Sequence, residues 1–157
     1  MVLSQKGLAQ LDVAALFHCV LFAYQKALRD ILGPTPTSDF TLFHAVPIIE
    51  TILGKASPEL ASAVDADDAL RKFAKLLVAS VLVEKVEIKE EPERYTLVID
   101  GCSFAEYVHD LLNPKDVTCP WGIIAMATVQ RISKRSVRMS LSEFSPKGSV
   151  TPIELKS

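Results

Sequence analysis

The first part of the chain carries apolar residues at spacings of three and four. After Asp12, nine such residues share one face of a helix: Leu16, Phe17, Val20, Leu21, Tyr24, Ala27, Leu28, Ile31 and Leu32. Gly33 and Pro34 follow and end the helix, because a proline nitrogen has no hydrogen to donate to the preceding turn. The pattern therefore predicts a long first helix with one apolar face.

Three more helices are predicted before residue 80. The second helix ends at Gly54 and contains Pro47, which either kinks it or divides it, and its apolar positions are Phe40, Phe43, Val46, Ile49 and Leu53. A short helix begins at Ser57-Pro58, since proline is favoured in a first turn. A fourth helix follows Asp65 or Asp67 and carries Leu70, Phe73, Leu76 and Leu77. The first half thus forms a helical layer.

From Val83 the apolar period changes to two, which is typical of strands. Val86 and Ile88 alternate with charged residues, and a second alternating run begins at Tyr95, so a hairpin is predicted with its turn near Pro92. A final hairpin is predicted around Ser145–Gly148; it pairs Val137, Met139 and Leu141 with Val150, Ile153 and Leu155. The second half therefore supplies an antiparallel sheet.

Two helices are predicted between the hairpins. One covers Ser103–Leu112, and the other is capped by Thr118 and has Pro120 in its first turn. The second is apolar on nearly every side, which is typical of a buried helix, and places Trp121 inside. We predict one α+β domain over residues 1–157, a helical N-terminal layer packed on a small antiparallel sheet with a buried helix between hairpins.

Composition narrows the possible functions. The formal net charge is −2 over 157 residues, so there is no broad positive field for nucleic acid. No apolar run approaches the roughly 20 residues that a membrane-spanning helix needs, and the beginning of the chain has no pattern of a secretory signal. A cytoplasmic location is expected. The three cysteines, Cys19, Cys102 and Cys119, lack paired spacing and are expected to be free thiols.

One group of reactive residue types stands between residues 102 and 119. Cys102, His109 and Cys119 are ligands that zinc prefers, and a thiol- or zinc-dependent enzyme centred on them is one interpretation. Seven residues of continuous helix would separate Cys102 from His109 by about 10 Å, so Cys102 would have to precede the helix. The alternative is two buried thiols and a surface histidine. Glycine-rich phosphate loops and serine elbows are absent from the sequence.

The order of elements and four residues, Cys102, Cys119, Gly122 and Ala127, carry a family resemblance. The chain resembles the vinyl-reductase-type small-molecule-binding domain, which is related in fold to transport-protein-particle subunits of vesicle tethering. Many members have a further cysteine in the closing hairpin, where this chain has Val150-Thr151-Pro152-Ile153. The resemblance implies a sensor or carrier of an apolar ligand, often dimeric, that is not itself an enzyme.

The leading hypothesis is therefore a ligand-binding or regulatory interaction module with an apolar pocket between the helical layer and the sheet. The candidate lining residues are Phe17, Phe22, Phe43, Phe104 and Trp121. The same aromatics would equally serve as plain core. The first helix is apolar on more than one face, which predicts a homodimer. An adaptor without ligand is the third possibility.

Overall fold

The computed structural model describes residues 5–33, 44–111, 117–138 and 140–156. In the first helix, it describes side chains only from Leu16 onward. The helices are α1 (Gln5–Leu32), α2 (Val46–Ala56), α3 (Pro58–Ala61), α4 (Ala66–Ala79), α5 (Ala105–Val108) and α6 (Pro120–Ser133). The strands are β1 (Lys85–Glu91), β2 (Arg94–Asp100), β3 (Val137–Arg138), β4 (Glu143–Ser145) and β5 (Gly148–Leu155). The predicted α+β class is confirmed.

Helix α1 begins at Gln5, earlier than the sequence pattern indicated, and ends as predicted at Gly33. Gly33 has a φ of +84°, and its N–H donates to the carbonyl of Arg29 at 2.8 Å. The predicted apolar stripe lies along one side of α1, but this side faces outward: Phe17 and Tyr24 are each 69% exposed. The inward side carries His18 and Phe22 instead. The helix therefore turns its more polar side to the core.

Pro47 lies in the first turn of α2 and does not kink it, because a first-turn proline loses no hydrogen bond there. The predicted end at Gly54 is wrong, since the helix continues to Ala56. Gly54 is instead a contact point: the Arg131 guanidinium from α6 covers it and donates to the carbonyl of Glu50 at 2.9 Å. Phe40 and Phe43 lie outside the described residues.

The short helix α3 and the fourth helix α4 begin where predicted. Asp65 precedes α4, and its carboxylate accepts from the N–H of Asp68 at 2.8 Å, which satisfies one of the free amides of the first turn. Leu70 and Phe73 of α4 are buried, whereas Leu76 is largely exposed. The helix thus presents one apolar face to the core.

The sheet is antiparallel, and its strand order is β1-β2-β5-β3. Strand β4 also pairs with β5. The predicted first hairpin is confirmed, with Glu91 opposite Arg94 at its turn. The first strand of the closing hairpin is divided in two: Val137 pairs with Leu155 in β3, and Ser145 pairs with Gly148 in β4. Met139 lies outside the described residues. Strand β5 is therefore the centre of the second half of the sheet.

Helix α6 is the buried helix that the sequence predicted. Its cap residue is Cys119 and not Thr118, and no side chain caps it. Gly122 faces β5 so closely that a Cβ at this position would lie 2.6 Å from Cγ2 of Thr151. Ala125, Met126, Ala127 and Val129 are fully buried on the same helix. The absence of a side chain at Gly122 therefore sets the distance between α6 and the sheet.

The predicted helix from Ser103 to Leu112 is shorter than expected. Helix α5 covers four residues and continues as a 3-10 turn over His109–Leu111. Cys102 precedes the helix, and its N–H donates to the carbonyl of Lys147 at 2.8 Å. Phe104 at the N-cap position of α5 is buried. The beginning of this segment, at Cys102, is thus held against the turn of the closing hairpin.

We predict that Gly122→Ala destabilises the protein by roughly 1–3 kcal/mol, the usual cost of adding a methyl group to a closely packed contact. The measurement is urea unfolding followed by Trp121 fluorescence. Thr151→Ser removes the nearest methyl group, so the double variant should recover part of the loss. Equal stability of wild type and Gly122→Ala would contradict this account of the contact.

Candidate functional site

Three of the predicted ligand-binding residues meet around one histidine. The ring of His18 lies 5.0 Å from that of Phe22, 4.7 Å from that of Phe104 and 5.5 Å from that of Trp121, measured between centroids. Phe104 and Trp121 stack at 6.1 Å. Phe17 lies on the outward side of α1 and takes no part, and Phe43 lies outside the described residues. Trp121 is partly buried and not fully inside as expected.

The group of rings extends to a second histidine, His109, through Phe22 and Phe144. Phe22 packs edge-on against Phe144 at 5.4 Å, and Phe144 against His109 at 5.0 Å. We call these six residues the aromatic–histidine cluster: His18, Phe22, Phe104, His109, Trp121 and Phe144. His109 is buried and not on the surface as expected. Phe144 lies in the short strand β4, next to the predicted turn of the closing hairpin, and was not among the strand residues that the sequence pattern identified.

The elements that carry the cluster are held by polar contacts around the beginning of α6. The Gln25 side chain pairs with the backbone of Thr118 in both directions, at 2.9 Å from Nε2 to the carbonyl and 3.1 Å from the N–H to Oε1. The Cys119 N–H donates to Oγ of Ser142 at 2.8 Å, and Ser142 is hydrogen-bonded to Thr151 at 2.6 Å. Helix α1, α6 and the closing hairpin are thereby fixed to one another.

Three buried polar atoms of the cluster have no hydrogen-bond partner among the described residues: Nε2 of His18, Nε2 of His109 and Nε1 of Trp121. Nδ1 of His109 lies 2.7 Å from the carbonyl of Ser145, so it carries the proton and Nε2 is left as an acceptor. The Trp121 indole is a donor. Its neighbour is the Cys102 thiol, which is only a weak acceptor. The cluster thus offers an unpaired acceptor at His109 and an indole donor whose neighbour is a weak sulfur acceptor.

Both histidines of the cluster are held neutral. Burial lowers the pKa of His18 from 6.5 to about 4, and the nearby His109 adds to this effect. Burial also lowers the pKa of His109, although the Ser145 carbonyl and Asp110 act in the opposite direction. At neutral pH the cluster is therefore an uncharged site, suited to neutral ligand groups.

The two thiols near the cluster are buried and protonated. Burial raises the pKa of Cys119 to about 11 and that of Cys102 above its usual value. Within the described part of the chain, no group of three or more His, Cys, Asp or Glu side chains is arranged to hold a metal ion. The set of Cys102, His109 and Cys119 as zinc ligands stays a prediction for elemental analysis.

A separate groove lies between α1, α2 and α6, and its described lining contains no residue of the cluster. It has a volume of about 440 Å³ and is lined almost entirely by aliphatic side chains, among them Leu21, Leu28, Ile49, Ile52 and Ile123. The sequence pattern did not indicate this groove, because its lining residues come from three helices far apart in the chain.

The structure is similar to proteins of known fold, although no protein-family model and no curated protein matches the sequence. A trafficking protein particle complex subunit 3 from Naegleria fowleri, covalently bound to palmitic acid, superimposes with a TM-score of 0.55 at 12% identity, over 95% of this chain and 96% of that chain. The predicted relation in fold to transport-protein-particle subunits is thereby confirmed.

A second similar structure is the phenol-responsive sensory domain of the transcription activator PoxR with phenol. It has a TM-score of 0.47 and 12% identity and covers 87% of this chain and 74% of that chain. The vinyl-reductase-type assignment itself stays a prediction. No helix within the described residues has the length and apolar character to cross a membrane.

We predict that folding stability falls as the pH drops from 6.5 towards 4. The unfolded His18 binds a proton near its ordinary pKa of 6.5, whereas the folded His18 stays neutral until about 4, so acid favours the unfolded chain. The loss due to His18 is on the order of 3 kcal/mol and is absent above pH 6.5. Urea unfolding across this pH range measures it.

The control for this prediction is His18→Phe, which keeps an aromatic ring but cannot titrate. Its stability should depend less steeply on pH than that of the wild type, with the remaining slope due partly to His109. Parallel curves for the two proteins would show that His18 is not held neutral by the fold.

Proposed function

We propose that this protein is a homodimeric binding module for a small, largely apolar molecule that carries a polar group. The observation that carries the proposal is the set of unpaired buried nitrogen atoms in the aromatic–histidine cluster. The cluster contains Phe22, Phe104 and Trp121, which were candidate ligand-binding residues on sequence grounds.

The energetics of burial favour a ligand at this place. A buried donor or acceptor without a partner costs about 1–3 kcal/mol, and native proteins leave few of them. A hydroxyl group of the ligand would donate to the unpaired Nε2 of His109, which removes that cost. The phenylalanine rings would pack against the apolar body of the same molecule.

The fold supports the same interpretation in a general way. The similar trafficking subunit from Naegleria fowleri is covalently bound to palmitic acid, so a protein of this architecture accommodates an apolar molecule. The ligand of the present chain is argued from its own residues.

The enzyme alternative centred on Cys102, His109 and Cys119 is less favoured by the geometry. A thiol-dependent catalyst needs a thiolate, and burial raises the pKa of Cys119 to about 11. His109 directs its Nδ1–H to the Ser145 carbonyl. We therefore place the function in ligand binding.

The homodimer is proposed from the outward side of α1 and the adjoining part of α2. Seven large apolar side chains are exposed there: Leu16, Phe17, Val20, Leu21, Tyr24, Ile48 and Ile52. A stable interface buries roughly 800 Å² per partner, and a second copy would bury its share by covering these side chains and their neighbours. We call this surface the outer face; such exposed apolar surfaces mark interaction sites.

We expect benzyl alcohol to bind more tightly than toluene, by about tenfold, because only the alcohol can donate to the unpaired Nε2 of His109. Trp121 is the only tryptophan of the chain, so its emission reports binding directly. Saturable binding of the alcohol at millimolar concentration or below is the expected result.

The matched variant is His109→Phe, which keeps the ring and removes the acceptor. It should bind toluene as the wild type does and lose most of the preference for the alcohol. Equal affinity of the wild type for both probes, or no saturable binding of either, would contradict the proposed site.

We expect sedimentation at micromolar concentration to show a dimer, and Phe17→Asp to shift it to monomer by placing a charge on the outer face. The control is Val64→Asp, since Val64 is even more exposed but lies in the loop before α4. A wild-type monomer, or dissociation by both variants alike, would refute the proposed interface.

A further inference from the structure

The groove between α1, α2 and α6 offers a surface for hydrocarbon and for nothing polar. Among the described lining residues, only Tyr24 and Gln25 bring polar side-chain groups to the groove. The Gln25 amide is already engaged with both backbone groups of Thr118. A molecule in the groove would therefore make its contacts mainly with apolar surface.

The volume of the groove decides what kind of hydrocarbon fits. A cavity of about 150 Å³ holds one benzene ring, and the groove measures about 440 Å³. A single aromatic side chain from another molecule would leave most of the apolar lining in contact with water, which is unfavourable. An extended alkyl or acyl chain of a small molecule matches both the volume and the aliphatic lining.

The rim of the groove is part of the outer face. Leu21 and Ile52 line the groove while remaining 52% and 56% exposed, and Tyr24 does the same. A hydrocarbon chain seated here alone would leave its outer side in water, next to Phe17 and Val20. A second copy covering the outer face would enclose the chain between the two molecules.

We propose that the groove is a second ligand site, specific for a hydrocarbon chain and completed by the second copy of the protein. This rests on the proposed dimer but not on the proposed ligand of the aromatic–histidine cluster. Because the chain contacts both copies, its binding and dimerisation stabilise each other by the same factor.

The test uses cis-parinaric acid, a fatty acid that fluoresces in apolar surroundings, together with sedimentation of the whole protein. The wild type should bind the probe, and the probe should lower the dimer dissociation constant at least tenfold. Phe17→Asp, which lies outside the groove lining, should be monomeric and bind the probe at least tenfold more weakly. Equal binding by this monomer would overturn the enclosure by a second copy.

Two variants locate the site within the groove. Leu28→Trp and Ile49→Phe add bulk to the lining and should abolish most probe binding while the dimer persists; circular dichroism confirms that each folds. Probe binding as in the wild type by both would overturn the groove as the site. A wild-type dimer that binds no probe overturns this inference alone, whereas a wild type that stays monomeric with probe overturns the proposed dimer as well.

Discussion

The contact between Gly122 of α6 and Thr151 of β5 is the constraint on which the other parts of the structure depend. A glycine in a helix interior lowers helix stability by about 1 kcal/mol relative to alanine. The close contact that Gly122 allows offsets this loss. It allows α6 to approach the sheet closely enough that a Cβ would overlap the Thr151 side chain. The beginning of α6 is fixed by the same contact.

The position of the cluster follows from this close approach. Thr151 also holds Ser142, which accepts from the N–H of Cys119 directly before α6. Gln25 then ties α1 to Thr118 across 93 residues of sequence. With these three segments fixed, His18 from α1 and Trp121 from α6 face each other within 5.5 Å. The polar contacts are satisfied around the cluster, while nitrogen atoms inside it are not. A rigid frame around unpaired groups is what a preorganised binding site requires.

Local signals predicted the elements that short-range physics determines. Asp65 marks the beginning of α4 because an aspartate caps free amides, and the alternation around Val86 and Ile88 marks a strand because side chains alternate across a sheet. Pro120 marked the first turn of α6. Phe22, Phe104 and Trp121 were candidates because ligand pockets are lined mainly by hydrophobic and aromatic side chains.

The sequence pattern could not predict the orientation of α1. A helix face that packs in the core and a helix face that binds another molecule show the same spacing of apolar residues. The stripe containing Phe17 and Tyr24 therefore did not reveal whether it faces the core or the outside. The inward side was decided by partners distant in sequence, Thr118 for Gln25 and Phe104 for His18. Phe144 could not be predicted for a related reason: it lies in a strand of only three residues that pairs with β5, and so short a strand leaves no periodic signal.

The proposed ligand site depends most directly on the protonation and hydrogen bonding of His109 inside the cluster. Nitrogen NMR of the imidazole measures which ring nitrogen carries the proton and whether Nε2 gains a hydrogen bond. At neutral pH we expect Nδ1 to be protonated and Nε2 to be bare, and we expect the Nε2 resonance to move to a hydrogen-bonded position when benzyl alcohol is added. A proton on Nε2 in the free protein, or an Nε2 resonance that the alcohol leaves unchanged, would contradict the account.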